Sequence, residues 1–121
     1  MDSYIEIKKN ATGHYYFTYR YDDTFMAVSS SFSSRSSLES HMTTLRLQAP
    51  NAATYLEQED LSPPCFVIHS TPTSLYLFEY INVSHHPLIQ SEYCSSLNQC
   101  FEYIQIFSET ISVIRVVDQA E

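Results

Sequence analysis

The chain holds a single glycine, Gly13, and no tryptophan in its 121 residues. Loops that cradle phosphates or dinucleotides need several glycines so that backbone can approach the ligand, which excludes P-loop and dinucleotide-fold chemistry. Basic residues are also scarce: six Lys and Arg face fourteen Asp and Glu, giving a formal charge of -8 and a pI near 4.9. Such a surface cannot neutralise phosphates or anionic lipid, so neither nucleic acid nor membrane is expected as a partner. Three cysteines (Cys65, Cys94, Cys100) make neither an even disulfide set nor a zinc-type spacing. No apolar run approaches the ~20 residues of a membrane helix. The stretch from Met1 to Asn10 has neither the basic start nor the apolar core of an export signal. The expectation is a cytoplasmic protein with reduced thiols and no cofactor or metal.

Aromatic residues, by contrast, are plentiful. Ten Tyr, seven Phe and a 44% hydrophobic content exclude a disordered chain. The length suits one domain, 1–121, in which halves of about sixty residues, each marginal alone, share a core. Tyr15, Phe17 and Tyr19 recur sixty-one positions later as Tyr76, Phe78 and Tyr80. The same spacing relates Phe32 to Tyr93 and Ser34 to Ser95. The pattern reads as one unit written twice, over about 1–60 and 64–121, with a linker near Ser62–Pro64.

Each half has the same order of elements. In the first, Tyr4–Lys9 alternates apolar and polar residues as a strand does, and Asn10–His14 forms a turn. Tyr15–Tyr21 is a strand with Tyr15, Phe17, Tyr19 and Tyr21 on one face and Tyr16, Thr18 and Arg20 on the other. Phe25–Ser31 returns as a third strand. Ser36 and Glu39 fit a capping box, followed by a stripe of Leu38, Met42, Leu45 and Ala49 until Pro50 stops the helix. Ala53–Gln58 supplies a short fourth strand. In the second half Cys65–Ser70, Leu75–Ile81 and Leu88–Glu92 are strands, and Ser96 and Gln99 cap a helix with a stripe of Leu97, Cys100, Phe101, Ile104 and Phe107. The β-branched run Ile111–Val117 closes the chain as a strand. Pairing Leu38 with Leu97 implies a two-residue deletion before the second helix.

Several of these segments resemble a known family. Gly13-His14-Tyr15-Tyr16-Phe17-Thr18-Tyr19-Arg20 is similar to the glycine–aromatic strand of the YegP-like small bacterial proteins. Phe32-Ser33-Ser34-Arg35-Ser36-Ser37-Leu38-Glu39 resembles the segment that leads into that family's helix, and Gln48-Ala49-Pro50-Asn51-Ala52 the motif that closes it. The resemblance implies an α+β fold: two tandem β3-αβ repeats forming a single, mainly antiparallel sheet with two helices on one face and exchanged C-terminal strands. It would pair Ala53–Gln58 with the second half and Ile111–Val117 with the first, and it implies no biochemical role.

Two kinds of function follow from the residues. Two helices cover one face of such a sheet, so the apolar residues on the other face (Tyr16, Leu75, Leu77, Ile81) form a candidate interface. The leading expectation is a non-catalytic protein that binds a protein partner or forms a homodimer there. The alternative is a small-anion-binding protein or enzyme. It would use Ser34, Arg35 and Ser36 at a helix N-terminus, where free N–H groups attract anions, or Cys94 just ahead of the second helix. His85-His86 lacks a third ligand in sequence, and on a strand neighbouring side chains point apart. Glu79, projecting among aromatics, is the carboxylate to examine.

Overall fold

A computed structural model describes residues 3–120; Met1, Asp2 and Glu121 of the 1–121 domain lie outside the described residues. Strands β1 (Tyr4–Lys9), β2 (Tyr15–Tyr21) and β3 (Thr24–Ser29) lead into helix α1 (Arg35–Gln48), a 3₁₀ turn at Ala49–Asn51 and strand β4 (Ala53–Leu56). The second half repeats the series as β5 (Cys65–Ser70), β6 (Tyr76–Ile81), β7 (Pro87–Ser91), α2 (Leu97–Thr110) and β8 (Arg115–Asp118). Local chemistry sets the turns. The Asn10 side-chain carbonyl accepts the N–H groups of Thr12 and His14 at 3.1 and 3.0 Å, while Gly13 takes a φ of 84° that a side chain would resist. Asp22 and Asp23, with φ of 53° and 63°, make the two-residue turn that suits a right-twisted hairpin.

All eight strands join one sheet in the order β4-β5-β6-β7-β3-β2-β1-β8. β3 and β7 pair antiparallel at its middle, and each half's last strand crosses to the other half. β4 runs parallel to β5, and β8 parallel to β1. The fold is thus the α+β architecture and strand exchange expected above. The core lies between the sheet and the two helices. Phe107 of α2 stands 4.9 Å from Tyr19 and 5.9 Å from Phe66, ring centre to ring centre, so one aromatic links the halves.

The internal correspondence is tighter than the sequence reading. Ser34 caps α1 by accepting the N–H of Ser37, and Ser96 caps α2 by accepting that of Gln99, both at 3.1 Å. The first cap is therefore Ser34, not Ser36, and Glu39 lies beyond capping reach. The Gln99 side chain reaches back to the N–H of Ser95, one residue further than a capping box. Aligned on their caps, the helices match at sixty-two: Leu38, Met42, Leu45 and Ala49 correspond to Cys100, Ile104, Phe107 and Ile111, all buried. Leu38 therefore matches Cys100 rather than Leu97, and no deletion precedes α2. The single added residue is in the β6–β7 loop, where Tyr80 pairs with Ile89 as Tyr19 pairs with Ala27.

This register explains three further departures. Phe101 falls off the buried stripe and is 43% exposed. Tyr93 is 61% exposed because the true counterpart of Phe32 is Cys94, the residue that bridges to Tyr76 as Phe32 bridges to Tyr15. Ile111 ends α2 as its buried C-terminal cap, and the last strand begins only at Arg115.

Candidate functional site

The start of α1 holds Ser34, Arg35 and Ser36 together, but its charge is already engaged. Arg35 donates to the Asp118 carboxylate and, at 3.1 Å, to the Ala120 carbonyl, with its guanidinium 5.4 Å from the centre of the Tyr15 ring. The hydrogen bond from Arg35 holds the Asp118 carboxyl below its ordinary value, and the same bond raises the guanidinium pKa. The Ser34 hydroxyl is occupied by its cap, and Ser36 lies exposed in the first turn. This cluster clamps β8 onto the first half.

Cys94 is fully buried rather than poised at a helix end, and its Sγ donates to the Glu92 carbonyl at 3.8 Å. Burial pushes the thiol pKa of Cys94 up, as it does for Cys65 and Cys100. A nucleophilic thiolate requires the opposite shift. His85, at φ 64°, and His86 lie in the exposed β6–β7 loop, whose shape comes from the Asn82 side chain accepting two backbone N–H groups at 3.0 Å. Among the described residues no cluster of three or more His, Cys, Asp or Glu could hold a metal ion.

The sheet face away from the helices carries Tyr16, Leu75 and Leu77, all half-buried. Ile81 departs from the expected interface: at 8% exposed it packs with Cys65, Val67 and Tyr55 in a small second cluster. The backbone of Ser62 reaches the Cys65 thiol there, so the linker contributes to this cover. Polar groups on the face bond one another. Glu6 lies 3.4 Å from Lys8 and 3.8 Å from Arg20. His69 bridges two carboxylates, at 3.0 Å to Glu57 and 2.8 Å to Glu79. Bonds from His69 and Ser70 lower the Glu57 pKa.

On the helix side, a cavity of ≈ 160 Å³ opens between α1 and the β6–β7 loop. Ser40, His41, Thr44 and Gln48 line it from the helix, Tyr80 from the sheet and Asn82 from the loop. Three buried side-chain polar atoms of the described residues lack a hydrogen-bond partner in the protein: Thr18 Oγ1, Gln48 Oε1 and Tyr80 Oη. Two of the three, Gln48 and Tyr80, belong to residues of this cavity. Burial pushes the Tyr80 phenol up to about 12, so it stays protonated at neutral pH. Sequence reading missed this place. The signal was available only in the sixty-two-residue register, which sets Gln48 against Thr110.

No protein-family model matches the chain, and no curated protein matches it either. Solved structures do. The chain is similar to a UPF0339 protein of Shewanella oneidensis, with a TM-score of 0.79 and 13% identity, over 99% of this chain and 93% of that one. It is equally similar to the E. coli protein yegP, a protein of unknown function: TM-score 0.79, 14% identity, over 99% of this chain and 95% of that one. The family resemblance read from the sequence thus extends to the whole fold. At these identities what is shared is architecture.

Proposed function

We propose that the chain is a non-catalytic binding protein that associates through the outer face of its sheet, its occupant being a second copy of the chain. The observation that carries this reading is the position of Tyr16, Leu75 and Leu77, half-buried on the one sheet face that neither helix covers. Charge supports it. The chain is -8 overall, yet on the outer face Glu6 is paired with the cations Lys8 and Arg20, and Glu57 and Glu79 are both hydrogen-bonded to His69. The pairing of Glu6 with two cations lowers the repulsion between two such faces. A twofold pairing of identical patches is the commonest route to a homodimer, and sheets pack face to face ~10 Å apart.

Size exclusion with light scattering tests the reading. The expected mass is twice the 14.0 kDa of one chain, and Leu77→Glu, which puts a charge into the face, returns it to 14.0 kDa. A monomeric wild type overturns the proposal. A dimer indifferent to Leu77→Glu also overturns it, because association then occurs elsewhere.

A further inference from the structure

We propose that the cavity between α1 and the β6–β7 loop is a binding site for a small uncharged molecule that presents a hydrogen-bond donor and an acceptor on one edge, as a primary amide or lactam does, to Gln48 and Tyr80. The internal symmetry of the fold carries the argument. Tyr19 and Tyr80 occupy corresponding places on β2 and β6, and Thr110 and Gln48 end their helices at corresponding places. In one pair the fold closes the gap itself, because the Tyr19 phenol hydrogen-bonds the Thr110 hydroxyl. In the other, Tyr80 Oη and Gln48 Oε1 are both buried and neither has a partner in the protein. Tyr80 itself is 1% exposed. The half that leaves these two atoms unpaired also has an opening of ≈ 160 Å³ whose lining includes both residues.

The lining selects the ligand. It contains no Lys, Arg, Asp or Glu, so a charged molecule would meet no fixed counter-charge. Gln48 Oε1 accepts and the Tyr80 hydroxyl donates or accepts, a pairing that matches the N–H and C=O of an amide edge. His41 adds a further group: its Nδ1 is held by the Ser37 carbonyl at 2.8 Å, so Nε2 is the ring nitrogen left for a ligand. Leu45 and Val83 supply apolar wall. An engineered cavity of roughly 150 Å³ holds benzene, so the size suits a single ring or a short chain.

The test uses the full chain with benzamide, its charged counterpart benzoate, and toluene as probes. Benzamide is expected to give saturable amide shifts at the end of α1 and in the β6–β7 loop and to raise the melting temperature. Benzoate and toluene should bind about ten-fold more weakly or worse, for want of counter-charge or of hydrogen bonds. Tyr80→Phe should weaken benzamide by about ten-fold while leaving the unliganded melting temperature unchanged or higher, since it deletes an unpaired buried hydroxyl. Tyr19→Phe should lower the melting temperature and leave benzamide binding intact. If Tyr80→Phe does not fold, Gln48→Leu gives the same reading. The proposal is overturned if benzamide produces no shifts, if benzoate binds as tightly, or if neither Tyr80→Phe nor Gln48→Leu changes its affinity.

Discussion

Tyr19 and Tyr80 are the same residue in the same place of two matched halves, and their surroundings differ in the helix residues opposite them, Phe107 and Thr110 against Leu45 and Gln48. Tyr19 meets Thr110 and forms a hydrogen bond; Tyr80 and Gln48 both line a cavity, and neither Tyr80 Oη nor Gln48 Oε1 has a partner within the protein. Elsewhere the halves agree closely. Ser29 and Ser91 each accept a buried backbone N–H, from Phe17 and Phe78, and each donates to the following carbonyl. The contrast separates scaffold from site: positions that define the fold carry the same chemistry twice, and the position that departs from it leaves polar atoms unmatched.

The largest effect should come from the aromatic that joins the halves. Phe107→Ala removes ring contacts with Tyr19, Phe66 and Phe78 and should cost ~3–5 kcal/mol in urea unfolding. Its counterpart, Leu45→Ala, makes no such aromatic contacts and should cost less, at the lower end of ~2–5 kcal/mol. Equal losses would show that the aromatic cluster adds nothing beyond volume.

Ser29→Ala and Ser91→Ala come next. Each strands a buried N–H and should cost ~1–3 kcal/mol, with the two values close to one another. A difference above ~1 kcal/mol would break the equivalence of the halves. The caps follow: Ser34→Ala and Ser96→Ala should each cost ~1 kcal/mol, whereas Ser36→Ala should be silent.

The smallest effect is set by pH. Arg35 holds the Asp118 carboxyl below its ordinary value of 3.8. The folded carboxyl is thus the stronger acid, so its contribution is present in full above the ordinary carboxylate range and is lost as pH falls through the lowered pKa. The pair is exposed, so the effect is slight. The wild-type melting temperature should fall slightly more steeply between about pH 5 and pH 2 than that of Asp118→Asn. Parallel curves would remove Arg35 and Asp118 as a clamp on β8.

Much of this architecture was legible because it rests on periodicity. Alternation located β1 and β2 to the residue, the Pro63-Pro64 break set the start of β5, and the apolar stripe Leu38, Met42, Leu45 and Ala49 marked α1. Strand exchange came through the family resemblance, since no local pattern says which neighbour a four-residue strand will choose. What misled was identity taken as equivalence. Leu38 and Leu97 match by letter, yet burial equates Leu38 with Cys100, because a cap and a stripe define a helix more firmly than any one side chain. The serine run pointed to Ser36 as the cap, and backbone geometry selects Ser34. Ile81 looked exposed because its cover comes from residues distant in sequence, Tyr55 and Cys65. Gln48 carried no signal of its own: its interest lies wholly in what Thr110 does on the other side.

The central β3–β7 pairing has one more consequence. Were the two halves separate, identical subunits meeting along that seam, any substitution would be felt on both sides of the axis at once. A site could then be opened only by opening its mirror image. A single covalent chain is free of that constraint, and one member of each matched pair can keep the structure while the other is spared for a different task. The short segment around Ser62–Pro64 that joins the halves is, in this sense, what allows two matched scaffolds to have separate fates.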